Sequence, residues 1–222
     1  MTNDVTSSKV YVSDLMHNYS VYVKVRHTMS LAEFSVAVKA KDPIVDKIID
    51  ISRRHKSGQK LLASEIPACF FADPHHKIKT LPPAFYANGY VVVGEICADV
   101  MQKFDLGETS FNEVEFFQNN KIDRVEGRYF ALNFGEQKET LLDSLSTGLG
   151  SAYQRDGVER FNFPGRLFDG SIKLSRHALA GRELWFERRL DSTLFMSRRM
   201  RDALTAAKLH VPFRFFECGL VD

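Results

Sequence analysis

Leu81–Phe117 reads LPPAFYANGYVVVGEICADVMQKFDLGETSFNEVEFF, and the order of patterns within it decides the fold class. Pro82 and Pro83 punctuate its start. Tyr90–Val93 is a short continuous apolar run, which suits a strand covered on both faces. Gly94 permits a tight turn. Ile96, Cys97, Val100, Met101 and Phe104 then recur at helical spacing over Glu95–Phe104, and Gly107 ends that helix. Phe111–Phe117 returns as a strand.

Upstream, Ser20–Arg26 alternates, with Val21, Val23 and Val25 on one face of a half-buried strand. His27–Ser30 reads as a turn. Phe34–Ala40 alternates again, which predicts a second strand antiparallel to the first. Asp42-Pro43 opens a helix. The Asp carboxylate can accept from free N–H groups, and proline loses nothing at the first helical position. Ile44, Val45, Ile48 and Ile49 keep the helical period, basic residues fill the last turn, and Gly58 is the stop. Residues 60–80 have weak periodicity, and residues 1–9 read as a mobile terminus.

Downstream, Arg128–Phe134 alternates as a strand. Thr147–Gly157 is rich in Gly and Ser and reads as an exposed loop. Phe161–Phe163, Ile172–Leu174, Leu184–Glu187 and Leu194–Met196 are short strand candidates. Ser197–Leu209 is the last helix, with Met200, Ala203, Leu204 and Ala207 as its stripe, and Phe213–Glu217 closes as a strand. No internal repeat is visible in the sequence.

Thirty basic and 28 acidic residues leave a net charge of +2 on 222 residues. That is not the footprint of a dedicated nucleic-acid binder. No apolar run is long enough to span a membrane. The N-terminus shows no secretory pattern. Three widely spaced cysteines suit a reducing compartment better than a disulfide framework, so a cytoplasmic location is expected. Eighteen phenylalanines point to an aromatic core.

The chemistry-bearing combinations are weak. His75 and His76 with Asp73 lack a third metal ligand at a familiar spacing. Asp143, Ser144 and His177 form a triad only on paper, because the serine lacks the turn that would expose its hydroxyl. TGLGSA lacks the Lys and Ser/Thr ending of a phosphate loop. Neither metal nor cofactor is called for. Arg188, Arg189, Arg198, Arg199 and Arg201 lie near Trp185 and Phe186, but carboxylates are interleaved, and a salt-bridged surface is the simpler expectation. Glu108, Glu113 and Glu115 form either a solvated face or an acidic surface that meets a basic partner.

Three runs carry a family resemblance: LPPAFYANGYVVVGEICADVMQKFD with FNEVEFF; RYFALNF with LLDSLS; and DGSIKLSRHALAGRELWFERRLDSTLFMSRRMRDALTAAKL with VPFRFFE. Together they resemble polymorphic-toxin immunity-protein family eleven over roughly residues 80–218. The resemblance implies a cognate antitoxin that binds the toxin domain of a secreted bacterial effector. It carries over no catalytic residue. It leaves Leu81, Phe85, Val92, Phe130, Leu132, Leu174, Phe186, Phe195, Leu204 and Phe215 as core positions.

The expected architecture is α+β, a mixed or antiparallel sheet with a few packed helices. Residues 1–80 would form an N-terminal lobe and 81–222 the core, or the two would be one compact unit. The expected partner-binding residues are Glu108, Glu113 and Glu115 on a strand edge, and Tyr153 and Arg155 on the loop. The alternatives are a hydrolase-like enzyme and a nucleic-acid-associated protein using the C-terminal arginines.

Overall fold

A computed structural model describes residues 9–27, 31–155 and 157–222. In chain order the elements begin with β1 (Val10–Ser13), β2 (Tyr22–Val23), β3 (Val25–Arg26), α1 (Leu31–Lys39) and α2 (Pro43–Lys56). Next come β4 (Cys69–Ala72), β5 (Ala84–Ala87), β6 (Tyr90–Gly94), α3 (Glu95–Met101), β7 (Ser110–Phe117) and β8 (Tyr129–Asn133). Then follow β9 (Gln137–Lys138), β10 (Ala152–Arg155), β11 (Val158–Phe161), β12 (Lys173–Ser175) and β13 (Leu184–Glu187). The chain ends with β14 (Leu194–Ser197), α4 (Arg198–Ala206), β15 (Phe215–Glu217) and β16 (Gly219–Val221). The fold is α+β with mixed sheets.

The larger sheet runs β2-β5-β6-β8-β7-β4-β3. Its two outermost strands are separated in the chain by Lys24 alone, so the sheet returns on itself and closes as a barrel. The period-two pattern explains how one short segment serves both ends. Val21, Val23 and Val25 are buried, while Tyr22 and Lys24 point out. Inside, Phe116 stacks on Phe70 at 5.0 Å and meets Phe85 and Tyr129 edge-on at 5.5 and 5.4 Å. Such offset and edge contacts suit the ring quadrupoles.

The second sheet runs β15-β1-β14-β13-β9. Its alternate residues feed two cores. Tyr11, Leu184, Phe186, Leu194 and Met196 join the barrel side, where Met200 and Leu204 of α4 also pack. Val10, Val12, Trp185 and Phe195 face the other way, onto Leu141, Ile172, Leu174 and Cys218. Burial on both faces is why these strands read as continuous apolar runs. The β10–β11 hairpin and the parallel β12–β16 pair flank this second core.

The two sheets repeat one topology. In the barrel, β2-β5-β6-β8-β7 pair parallel, antiparallel, antiparallel and antiparallel. In the second sheet, β9-β13-β14-β1-β15 pair in the same four senses. Helix α3 follows β6 and packs over β6 and β8; α4 follows β14 and packs over β14 and β1, and the two helices touch. The equivalence extends to registers: Tyr86 opposite Val91 matches Phe186 opposite Leu194. The two halves share this topology without an internal repeat that the sequence patterns announce. What differs is the insertion in each half: β3, α1, α2 and β4 in the first, and β10–β12 in the second.

The helix at Asp42-Pro43 forms as read, with the Asp42 carboxylate accepting from the Ile44 N–H at 3.0 Å. Phe34–Ala40 does not. It lies in α1, and Val36 and Val38, expected on a buried strand face, are exposed. Leu31, Phe34 and Val38 also satisfy helical spacing, and Ala, Glu and Lys favour the helix. The side chain of Phe34 and residues 28–30 of the expected turn lie outside the described residues, as do residues 1–8 of the terminus. The expected strand partner is replaced by β5 on one side and β4 on the other.

Further corrections concern single elements. Thr147–Gly157 is not all loop, because Ala152–Arg155 is a hairpin strand; Asp156 lies outside the described residues. The strand expected at Phe161–Phe163 lies earlier, at Val158–Phe161. Ile96 is exposed, since Cys97, Ala98 and Met101 define the buried face of α3. Pairings of β1 with β14 and β15, of β2 with β5, and of β4 with β7 all cross the boundary expected near residue 80. Among the expected core positions, Phe85, Val92, Leu132, Leu174, Phe186, Phe195 and Leu204 are fully buried. Leu81, Phe130 and Phe215 pack against the core from partly buried places.

Candidate functional site

The carboxylates of β7 face outward because Val114 and Phe116 take the inward positions. Glu113 receives two N–H groups of Arg128, at 3.2 and 3.1 Å, and Arg128 also binds Glu95 at 2.6 Å. The guanidinium holds the Glu113 carboxyl below its ordinary range. Glu115 pairs with Arg124 at 3.1 Å. Glu108 stands apart: its N–H donates to Glu136 at 2.9 Å, and its carbonyl accepts from Lys60. The expected strand edge is not one, since β7 is flanked by β8 and β4.

Tyr153 and Arg155 belong to a second cluster. Both project from β10 onto Asp191, which also accepts from Arg160 at 3.2 Å; the Arg155 contact is 2.9 Å. Arg160 is almost fully buried, and its Nε has no partner. Two guanidiniums and a phenol therefore converge on one carboxylate, leaving excess positive charge. No hydrogen bond or ion pair joins this cluster to Glu108, Glu113 or Glu115 among the described residues.

The remaining sequence candidates separate. Asp143 is held by Arg189 at 2.9 Å, and no hydrogen bond links it to Ser144 or His177 among the described residues. Arg188, Arg189, Arg198, Arg199 and Arg201 each pair with a carboxylate, at 2.9 to 3.4 Å. Trp185 is buried and stacks on Phe195 at 6.0 Å. Among the described residues, no three His, Cys, Asp or Glu side chains are placed to share a metal ion. No helix there is long and apolar enough to cross a membrane.

One cavity went unread in the sequence. A cleft of about 680 Å³ lies between α2 and one end of the barrel. Its roof is the inner side of α2, with Ile44, Ile48 and Ile51; its floor includes Tyr22, Tyr86, Tyr90 and His27. Tyr90 donates to the Glu65 carbonyl at 2.8 Å. His27 sits edge-on to Phe70 and Tyr90 at 5.7 and 5.4 Å, and burial lowers its pKa to about 4. Behind the roof, His55 is fully buried. Its Nε2 accepts from the Val91 N–H at 3.3 Å, which places its proton on an Nδ1 without a partner. Arg54 forks onto Glu65 at 3.1 and 2.5 Å and neutralises it.

No protein-family model matches the chain, and no curated protein matches it. The cleft draws on residues 22–27, 44–56, 64–73 and 86–90, so no contiguous motif announces it.

Proposed function

We propose that this protein is an immunity protein: it binds the toxin domain of a secreted bacterial effector in the cytoplasm and covers that domain's active site. The observation that carries the reading is the placement of the resemblance. Its runs fall on β5–β8 and on β13–β15 with α4, within the framework of the repeated sheets, and on β12 of the second insertion. The insertions are then free to present a recognition surface. The hairpin cluster suits that role best. Tyr and Arg are the side chains that anchor protein interfaces, and here Asp191 holds them in place before any partner arrives.

The test is affinity capture from the producing cells to identify the toxin domain, then co-expression with it, scored by growth and by co-purification. The expected result is rescue and a complex that survives washing. Arg155→Glu and Tyr153→Ala should weaken the complex by at least about tenfold, and Glu113→Lys with Glu115→Lys should do so less. Absence of both rescue and a complex overturns the reading. If rescue persists with all four substitutions, the toxin is met elsewhere on the surface.

A further inference from the structure

We propose that the cleft beneath α2 binds a small organic anion with an apolar body, a carboxylate or a phosphate monoester. This does not rest on toxin binding. The cleft's volume of about 680 Å³ lies within the roughly 300–1,000 Å³ of small-molecule sites. Its walls divide the work in the way such sites do. Ile44, Ile48 and Ile51 above and Ile66 and Pro67 at the side offer apolar contact, and the tyrosine rings offer flat faces.

The polar groups choose the ligand's sign. Arg26, Lys47 and Lys56 line the cleft, against Asp73 and Glu65. Glu65 is already neutralised by Arg54. Neither the Lys47 nor the Lys56 ammonium has a hydrogen-bond or ion-pair partner among the described residues. Lys56 is half-buried, and the carboxylate whose charge reaches it, Asp191, is already held by Arg155 and Arg160, so its ammonium has lost part of its hydration for a shared counter-charge. An anion in the cleft supplies one of its own.

Tyr86 adds an independent observation. It is more than nine-tenths buried, lines the cleft, and its hydroxyl has no partner. Buried hydroxyls are rarely left so. The repeat sharpens the point, because the equivalent position in the second sheet is Phe186. The framework there is satisfied by a plain ring. The extra oxygen at Tyr86 is unpartnered within the fold and belongs to a residue of the cleft wall, so a ligand that shifts the wall gains a donor there. The cleft is roofed by α2 of the first half's insertion over a floor of shared strands, so the shared topology alone does not make it.

The test titrates the full chain with phenylacetate, phenyl phosphate and the neutral phenylacetamide, following the backbone amides of Lys56, Gly89 and Tyr90 by NMR. At least one anion should saturate these shifts and bind about tenfold or more tighter than the amide. Which anion does so decides between carboxylate and phosphate. Lys56→Met should weaken binding about tenfold. Tyr86→Phe should weaken it while melting no lower than the parent. Lys47→Met, at an exposed position, gives the same readout if Lys56→Met does not fold. The proposal is overturned if neither anion saturates, if the amide binds as well, or if the lysine variants bind unchanged.

Discussion

Lys9 and Arg128 stand at equivalent places in the two sheets. Each offers its carbonyl to the first N–H of its half's helix: Lys9 to Arg198 at 3.1 Å, Arg128 to Glu95 at 3.0 Å. Each then reaches a glutamate on the strand beside it, Glu217 at 2.7 Å and Glu113 at 3.1 Å. The pair is a device of the repeated framework. Glu113 is therefore already paired within the fold before any partner arrives.

Both pairs face solvent, where side-chain entropy and screening offset most of the attraction. Glu113→Gln and Glu217→Gln should therefore leave the melting temperature unchanged within error at physiological salt. A clear drop for either would show that the pair holds the fold.

Gly58 and Gly157 share a left-handed backbone, at φ +77° and +72°, in different surroundings. A Cβ on Gly58 would lie 2.5 Å from Cβ of the buried Phe186, whereas one on Gly157 meets nothing within 4 Å. Gly157→Ala should cost about 1 kcal/mol, the conformational term alone. Gly58→Ala adds a core clash and should cost roughly 3 kcal/mol or more. Urea unfolding of the two variants checks the difference.

Phe116 touches three other rings of the barrel. Phe116→Ala should destabilise by about 3–5 kcal/mol. Phe168→Ala, at an exposed ring, should stay within about 0.5 kcal/mol.

Acid stability follows from two buried groups, His55 and Glu187, and two half-buried ones, His17 and His27. Burial lowers His17 and His27 to about 4 and His55 to about 3, and raises Glu187 to about 7. The histidines are neutral when folded and take up protons on unfolding below their ordinary pKa. Their stabilisation is present above about pH 6.5 and is lost as pH falls toward 4. Glu187 has the opposite sign: its contribution is full below about 4.5 and is lost as pH rises through 7. Three protons outweigh one, so stability should rise from pH 4.5 to 6.5 by up to about 3 kcal/mol per pH unit, then decline slightly. Glu187→Gln should abolish the alkaline decline, which chemical denaturation across pH will show.

Sequence reasoning succeeded where the deciding partners are local. Helix α2 was legible because Asp42, Pro43 and Gly58 write its start and stop within one segment. β6 and β7 were legible from their burial patterns. α1 was misread because its apolar residues fit both periods, and only the tertiary context separates them. β1 was missed for another reason: its partners lie near residues 194 and 215. The same holds for function. Tyr153 and Arg155 were visible as polar side chains in a glycine-rich stretch, but Asp191, which gathers them, is remote in sequence. The cleft was invisible because each of its walls looks ordinary alone.

The placement of β1 between β14 and β15 sets a timetable for synthesis. Every strand of the barrel lies within residues 22–133, so the barrel can close on the ribosome while the rest of the chain is still being made. Val10–Ser13 emerges first but has nothing to pair with until Leu194–Ser197 follows, which at ~5–20 residues per second takes on the order of ten seconds or longer. During that wait its valines and the open edges of the second sheet need shielding.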